Sequence, residues 1–168
     1  MSHVLVAYAS KHGSTAGLAT AIAKTLNDTG LRVTCVKASE VESLDPYDAV
    51  ILGSAVYARR WRVEARRFLR RYARELAERP FWVFSSGPVG DPAKDKAEWE
   101  EPARTMAKAI ELGARDHVVF GGSVPEHPDG MMMRSMAKNT PPEYRDRRDW
   151  DAVRAWAEGI AETLRVPA

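Results

Sequence analysis

Ser10-Lys11-His12-Gly13-Ser14-Thr15 sets three hydroxyls and a glycine at the mouth of an apolar run, a combination that can hold a phosphate. A helix beginning there adds unpaired backbone N–H groups and the positive end of its dipole. Ser10, Ser14 and Thr15 supply further donors, the amides from Lys11 to Thr15 surround the anion, and Gly13 lets the backbone come close. No Gly-Lys-Ser/Thr follows at the spacing of a nucleoside triphosphatase, and the Gly-x-Gly-x-x-Gly dinucleotide fingerprint is absent. An ordinary strand-to-helix turn capped by serine is the alternative reading, since serine and threonine cap helices without any ligand.

Two further segments carry glycine and hydroxyls, Gly53-Ser54-Ala55-Val56-Tyr57 and Ser86-Gly87-Pro88-Val89-Gly90-Asp91. Beside the first stand Arg59, Arg60, Trp61 and Arg62, a cationic and aromatic group suited to a flat anionic substrate through stacking and guanidinium–carboxylate pairs. A solvated basic helix face explains the same arginines, and for Arg66 to Arg79 it is the better explanation. Asp91 reads equally as a charge near a ligand or as a helix-capping carboxylate. The four histidines show no ligand spacing and Cys35 is the single cysteine, so no metal site and no internal disulfide are expected. Its apolar run, Val33 to Ala38, reads as a place for a buried, inert thiol.

These segments need a frame that brings them together. Val4 to Ala9 is nearly continuous in apolar residues, as in a parallel strand covered on both faces. Leu18, Ile22 and Leu26 then fall on one helical stripe, with Gly30 as the stop. Arg32 to Ala38 reads as the second strand, Ala49 to Gly53 as the third, and Asp45-Pro46-Tyr47-Asp48 as the turn between them. A helix is predicted over Val63 to Glu78, closed by Pro80, followed by a fourth strand over Phe81 to Ser85. Pro102 to Leu112 reads as a helix, His117 to Val124 as the fifth strand and Trp150 to Leu164 as a terminal amphipathic helix. Strands alternating with helices give an α/β fold, a doubly wound five-stranded parallel sheet with helices on both faces. In that plan the turns at 10–15, 53–59 and 85–91 all follow strand ends on one edge, where such sheets bind ligands.

At 168 residues the chain suits a single domain over 1–168, interrupted by a long irregular insert at about 125–149. Its apolar runs are far shorter than the roughly 20 residues that cross a bilayer. Lys11 follows the first strand too soon for a signal peptide, and a cytoplasmic location is expected.

With these residues in place the chain resembles the flavodoxin-like family along nearly its whole length. Ser10 to Thr15 is similar to the family's flavin phosphate loop, and Gly53 to Tyr57 and Ser86 to Asp91 are similar to the two loops around the isoalloxazine ring. The resemblance implies strand order 2-1-3-4-5 and non-covalently bound FMN, with Tyr57 stacked on the ring and the third loop's amides hydrogen-bonding its nitrogens. A receiver domain shares the strand plan, but its acidic pair after the first strand is replaced here by Ser10 and Lys11.

Electron-carrying flavodoxins are usually acidic around the flavin, and the arginines after Tyr57 depart from that pattern. Trp61, Phe68-Leu69, Gly121-Gly122-Ser123-Val124-Pro125, the methionine-rich insert and Asp149-Trp150 together resemble the quinone-dependent protoporphyrinogen dehydrogenase branch. That resemblance implies an FMN-dependent oxidoreductase of heme biosynthesis. Its partners would be a porphyrinogen substrate and a menaquinone or redox-protein acceptor, met at the inner membrane face. His127 to Lys138, with Met131, Met132, Met133 and Met136 beside Arg134 and Lys138, reads as packing over the sheet edge or as weak contact with an anionic membrane. A soluble electron carrier and a cofactor-free scaffold working through protein or nucleic-acid contacts are the other readings, nucleic acid being the least favoured.

Overall fold

The computed structural model describes residues 2–10, 13–57, 60–87, 103–123 and 130–165. Strand β1 (His3–Ala9) has Val4, Leu5, Val6 and Ala7 fully buried, which requires cover on both sheet faces. It pairs in parallel with β2 (Arg32–Lys37) on one side and β3 (Ala49–Tyr57) on the other. β3 returns on itself as β4 (Arg60–Trp61), antiparallel, with Val56 opposite Trp61 and Tyr57 opposite Arg60. β5 (Phe81–Ser86), buried throughout, pairs in parallel with β3 and with β6 (His117–Phe120).

The parallel strands run β2-β1-β3-β5-β6, which is the expected 2-1-3-4-5 plan once β4 is left out of the count. The five parallel strands stand as expected, and β4 adds a short antiparallel sixth. The reason lies at Gly53, where the sequence reading ends the third strand. A Cβ there would stand 2.0 Å from the Phe84 ring. The glycine admits that ring into the sheet instead of turning the chain, and β3 runs on to Tyr57.

Alternation along the strands divides the core in two. Val4, Val6 and Ile51 face α1 (Ser14–Asp28) and the last helix, through Leu18, Ile22, Leu26, Val153 and Ile160. Leu5, Ala7, Val50 and Leu52 face α2 (Val63–Arg71), α3 (Ala73–Ala77) and α4 (Ala103–Glu111), through Phe68, Leu69, Leu76 and Met106. The helix expected over Val63 to Glu78 is therefore two. The break falls at Tyr72 (φ −106°, ψ 21°), whose hydroxyl donates to the Val41 carbonyl at 2.8 Å and whose ring packs on Phe68. α5 (Met131–Asn139) is a helix inside the stretch read as irregular, and α6 (Trp150–Arg165) closes the fold. β6 is shorter than expected because Gly121 lies against the Arg147 carbonyl, where a Cβ would come within 2.2 Å.

Candidate functional site at the carboxyl edge

Strand register fixes which residues share the edge. Ala9, Ser54 and Ser85 are paired across β1, β3 and β5, and Ala55, Ser86 and Phe120 are paired one residue further on. The chain thus leaves the sheet at Ser10, Val56, Gly87 and Gly121 on the same side, the carboxyl side of every parallel strand.

At the first exit the Ser10 hydroxyl accepts the Gly13 N–H at 3.1 Å and tightens the turn. Gly13 then serves as the N-cap of α1 with φ 88°, a left-handed backbone that suits glycine. Glycine has no side chain with which to cap, and no side chain makes a cap hydrogen bond there. The serine-capped turn is thereby set aside, and the first-turn amides of α1 stay available to an anion. Thr15 is buried, yet its hydroxyl finds no partner among the described residues. A buried hydroxyl without a partner is costly unless something else occupies the space beside it. Lys11 and His12 lie outside the described residues.

At the second and third exits the expected residues take different parts. Ser54 is fully buried, donates to the Ala55 carbonyl at 2.8 Å and accepts the Arg62 N–H at 3.0 Å, so it fixes the β3–β4 return. Ala55 is buried and Val56 half-buried beside Gly87, whose hypothetical Cβ would lie 3.2 Å from the Val56 carbonyl. Tyr57 ends β3, its side chain outside the description. Ser86 is fully buried and its hydroxyl has no partner among the described residues, the second such group on this edge. Pro88, Val89, Gly90 and Asp91 lie outside the described residues, as does Arg59.

The expected substrate group is corrected in part. Trp61 is 1% exposed, and its indole N–H donates to the Ser85 hydroxyl at 2.8 Å. Its ring belongs to the core under α2 and offers no stacking face to a substrate, because β4 turns alternate side chains inward and outward. Arg60, its neighbour, is exposed. Arg62 is half-buried and paired with Glu64 at 3.2 Å. The Glu64 carboxyl is held below its ordinary range, chiefly by its own backbone N–H and then by Arg62.

The fourth exit had no place among the predicted site residues. Gly122 packs backbone to backbone on Gly87, so that a Cβ on Gly122 would stand 2.6 Å from the Gly87 Cα. The Ser123 N–H donates to the Ser14 hydroxyl at 3.2 Å, tying the β6 exit to the phosphate turn across 109 residues. Ser123 also bridges to Asp146, and the Arg147 N–H donates to the Gly122 carbonyl at 2.8 Å. Two glycines and a serine directly after a strand, at the same edge as the other turns, were the available signal. Arg148 braces this corner with a fork of 2.9 and 2.7 Å bonds to Asp146, its guanidinium 5.0 Å from the Trp150 ring centre.

The Arg148 fork holds the Asp146 carboxyl below its usual value. Its stabilisation is complete above the ordinary aspartate pKa of about 4 and is lost as pH falls through the lower folded value. Because Asp146 is half exposed, we expect less than about 1 kcal/mol from it. Urea unfolding of Asp146→Asn should show reduced stability at neutral pH and a gap from the parent that closes below that range. A gap that is constant with pH would remove the ion pair from the account.

Among the described residues no cluster of three His, Cys, Asp or Glu side chains could hold a metal ion. Burial raises the pKa of the Cys35 thiol, and among the described residues no helix is long and apolar enough to cross a membrane.

Fold and edge together define a doubly wound α/β protein with an anion-accepting turn after its first strand. The flavodoxin domain family matches residues 5–140, and the chain belongs to that family. Its members are FMN-binding flavoproteins. Similar structures include a flavodoxin from the domain Archaea, 15% identical with TM-score 0.62 over 98% of this chain and 99% of that one. Oxidised Flavodoxin 2 from Bacillus cereus is 23% identical with TM-score 0.64 over 96% of this chain and 99% of that one. Two-electron reduced Megasphaera elsdenii flavodoxin is 16% identical with TM-score 0.63 over 95% of this chain and 98% of that one. Identities this low speak for the fold.

The residues present fit FMN. The uncapped start of α1 and the Thr15 hydroxyl suit its phosphate, and the register sets the Ser86 hydroxyl and the Gly87 turn on the same sheet edge. When bound, FMN supplies electron transfer at its ring system. Thr15→Ala should weaken FMN binding by about 1 kcal/mol, roughly fivefold, and the near-isosteric Thr15→Val should do the same without destabilising the apoprotein, since the hydroxyl has no partner among the described residues. Flavin-fluorescence titration and apoprotein melting read the two quantities. A destabilised apoprotein with unchanged FMN affinity would assign Thr15 to the core alone.

Proposed function

We propose that this chain is a flavodoxin-type electron carrier, receiving electrons from one redox protein and delivering them to another through bound FMN. The observation that supports it most is the pair of buried hydroxyls without a partner among the described residues, Thr15 and Ser86, on one sheet edge beside an uncapped helix. A carrier asks its protein to hold the flavin, tune it and present it; it needs no acid, base or nucleophile. The one-domain flavodoxins that this chain matches over almost their full length fit the same reading. The test is to purify the protein, release its chromophore by denaturation, and follow flavin reduction by a flavodoxin reductase. A colourless protein that takes up no added FMN would support the cofactor-free scaffold instead.

A second reading is an FMN-dependent, quinone-coupled protoporphyrinogen dehydrogenase. It draws support from α5, which carries an 86% exposed Met131 with exposed Arg134 and Lys138, and from exposed Arg60 beside the second exit. Burial of Trp61 removes the aromatic half of its proposed substrate rim. Anaerobic mixing of the FMN-loaded protein with protoporphyrinogen and a menaquinone analogue separates the two readings. Flavin reduced by the porphyrinogen and reoxidised by quinone establishes the dehydrogenase; flavin reduced only by a protein donor establishes the carrier.

A further inference from the structure

We propose that the outward face of α2 and α3 is a docking surface for an acidic electron-transfer protein, an inference that rests on the carrier reading. Between residues 59 and 79 the chain carries nine arginines, no lysine and three glutamates. That leaves the segment at +6 in a chain of net +2, a local excess of positive charge.

Several of these arginines are committed to the fold. Arg62 pairs with Glu64, Arg66 donates to the Trp61 carbonyl, and Arg71 lies 5.1 Å from the Tyr72 ring centre. Arg79 donates to the Leu44 and Tyr47 carbonyls at 2.6 and 2.7 Å, stapling the end of α3 to the loop before β3. Arg67, Arg70 and Arg74 are exposed; Arg67 acts electrostatically on the Glu64 carboxyl, and Arg70 and Arg74 have no partner among the described residues. Their spacing continues the i, i+4, i+7 stripe that starts at Val63, opposite the buried stripe of Ala65, Phe68, Leu69 and Tyr72.

Val63 is 41% exposed and opens α2 directly after the β3–β4 return, at the flavin end of the helix. The face therefore presents an apolar contact next to the site and a row of guanidiniums running back from it. Guanidinium forks match carboxylates in pairs, which suits a surface patch of Asp and Glu. The row from Arg67 to Arg74 spans only about 10 Å at the helical rise. An extended polyanion such as a duplex or an anionic bilayer is far longer than this row and would leave most of its charge unmatched. A compact acidic protein meets only the patch, and docking there sets its redox centre beside the edge that holds the flavin.

The FMN-loaded full chain is tested against two probes, a reduced acidic [2Fe–2S] ferredoxin in stopped flow and labelled poly-L-glutamate by anisotropy. Arg67→Glu/Arg70→Glu/Arg74→Glu is compared with the parent. For the parent we expect the ferredoxin rate to fall roughly tenfold between about 20 and about 200 mM salt. The variant should lose at least that factor at low salt together with its salt dependence, while FMN affinity and reduction by dithionite stay unchanged. Parent-like rates and poly-L-glutamate binding in the variant would overturn the docking surface. So would tighter arginine-dependent binding of a short DNA duplex or of phosphatidylglycerol vesicles than of poly-L-glutamate. Arginine-dependent poly-L-glutamate binding without electron transfer from ferredoxin or any other protein donor would uphold the surface and sink the carrier reading. A parallel Gln triple variant separates lost attraction from introduced repulsion, and it too should slow the ferredoxin reaction.

Discussion

Trp61→Ala is expected to destabilise the protein by about 3–5 kcal/mol, the usual cost of truncating a fully buried tryptophan. The indole is almost wholly enclosed, packs with Leu69 and Phe68 in one half of the core, and donates to Ser85 on the neighbouring strand. Removing it leaves a cavity and a buried serine hydroxyl without its donor. Trp61→Phe keeps most of the volume and should cost only about 1–2 kcal/mol, the share of the hydrogen bond and its orphaned acceptor. Urea unfolding of the apoprotein reads both. A loss below about 1 kcal/mol for the alanine variant would return the indole to the surface, where a substrate could stack on it.

Gly122→Val should weaken FMN binding at least roughly fivefold while the sheet remains folded. The added Cβ would fall 2.6 Å from the Gly87 Cα and 3.0 Å from its carbonyl carbon and oxygen. Those are backbone atoms that cannot swing aside, and Gly87 is itself held at φ 136°. The ring-side turn must move, at a strain of about 1–3 kcal/mol. Gly159→Ala is the control: a Cβ there meets nothing within 4 Å inside α6, and the substitution should stabilise the helix by roughly 0.5–1 kcal/mol. Paired flavin titrations and thermal melts distinguish a displaced turn from general unfolding. If Gly122→Val binds FMN as the parent does, the Gly87 turn is not part of the cofactor site.

The parallel strands were legible because most are short apolar runs between turn residues, and Val4 to Ala7 need two covered faces wherever they sit, while their order came with the family resemblance. The turn from Ser10 to the start of α1 was legible for the same reason, since it must follow the first strand. Position 61 was not. A tryptophan among arginines reads as exposed, and only pairing with Val56 shows that β4 turns it inward onto Ser85. Gly53 misled in the opposite sense: it looked like a strand end but makes room for Phe84. Tyr72 hides a break because its side chain continues the apolar period while its hydroxyl reaches the Val41 carbonyl. The Ser14 to Ser123 bond joins residues 109 apart, beyond the reach of any local pattern.

The bridge between Ser123 and Asp146 has an architectural consequence. α5 stands between the two bridged residues, on a bud whose described ends meet at one neck. Among the described side chains none on α5 belongs to either half of the core, and no strand pairs with it. Such a bud can be enlarged, trimmed or exchanged as a unit, and it gives this domain one address at which new specificity is acquired without refolding the rest.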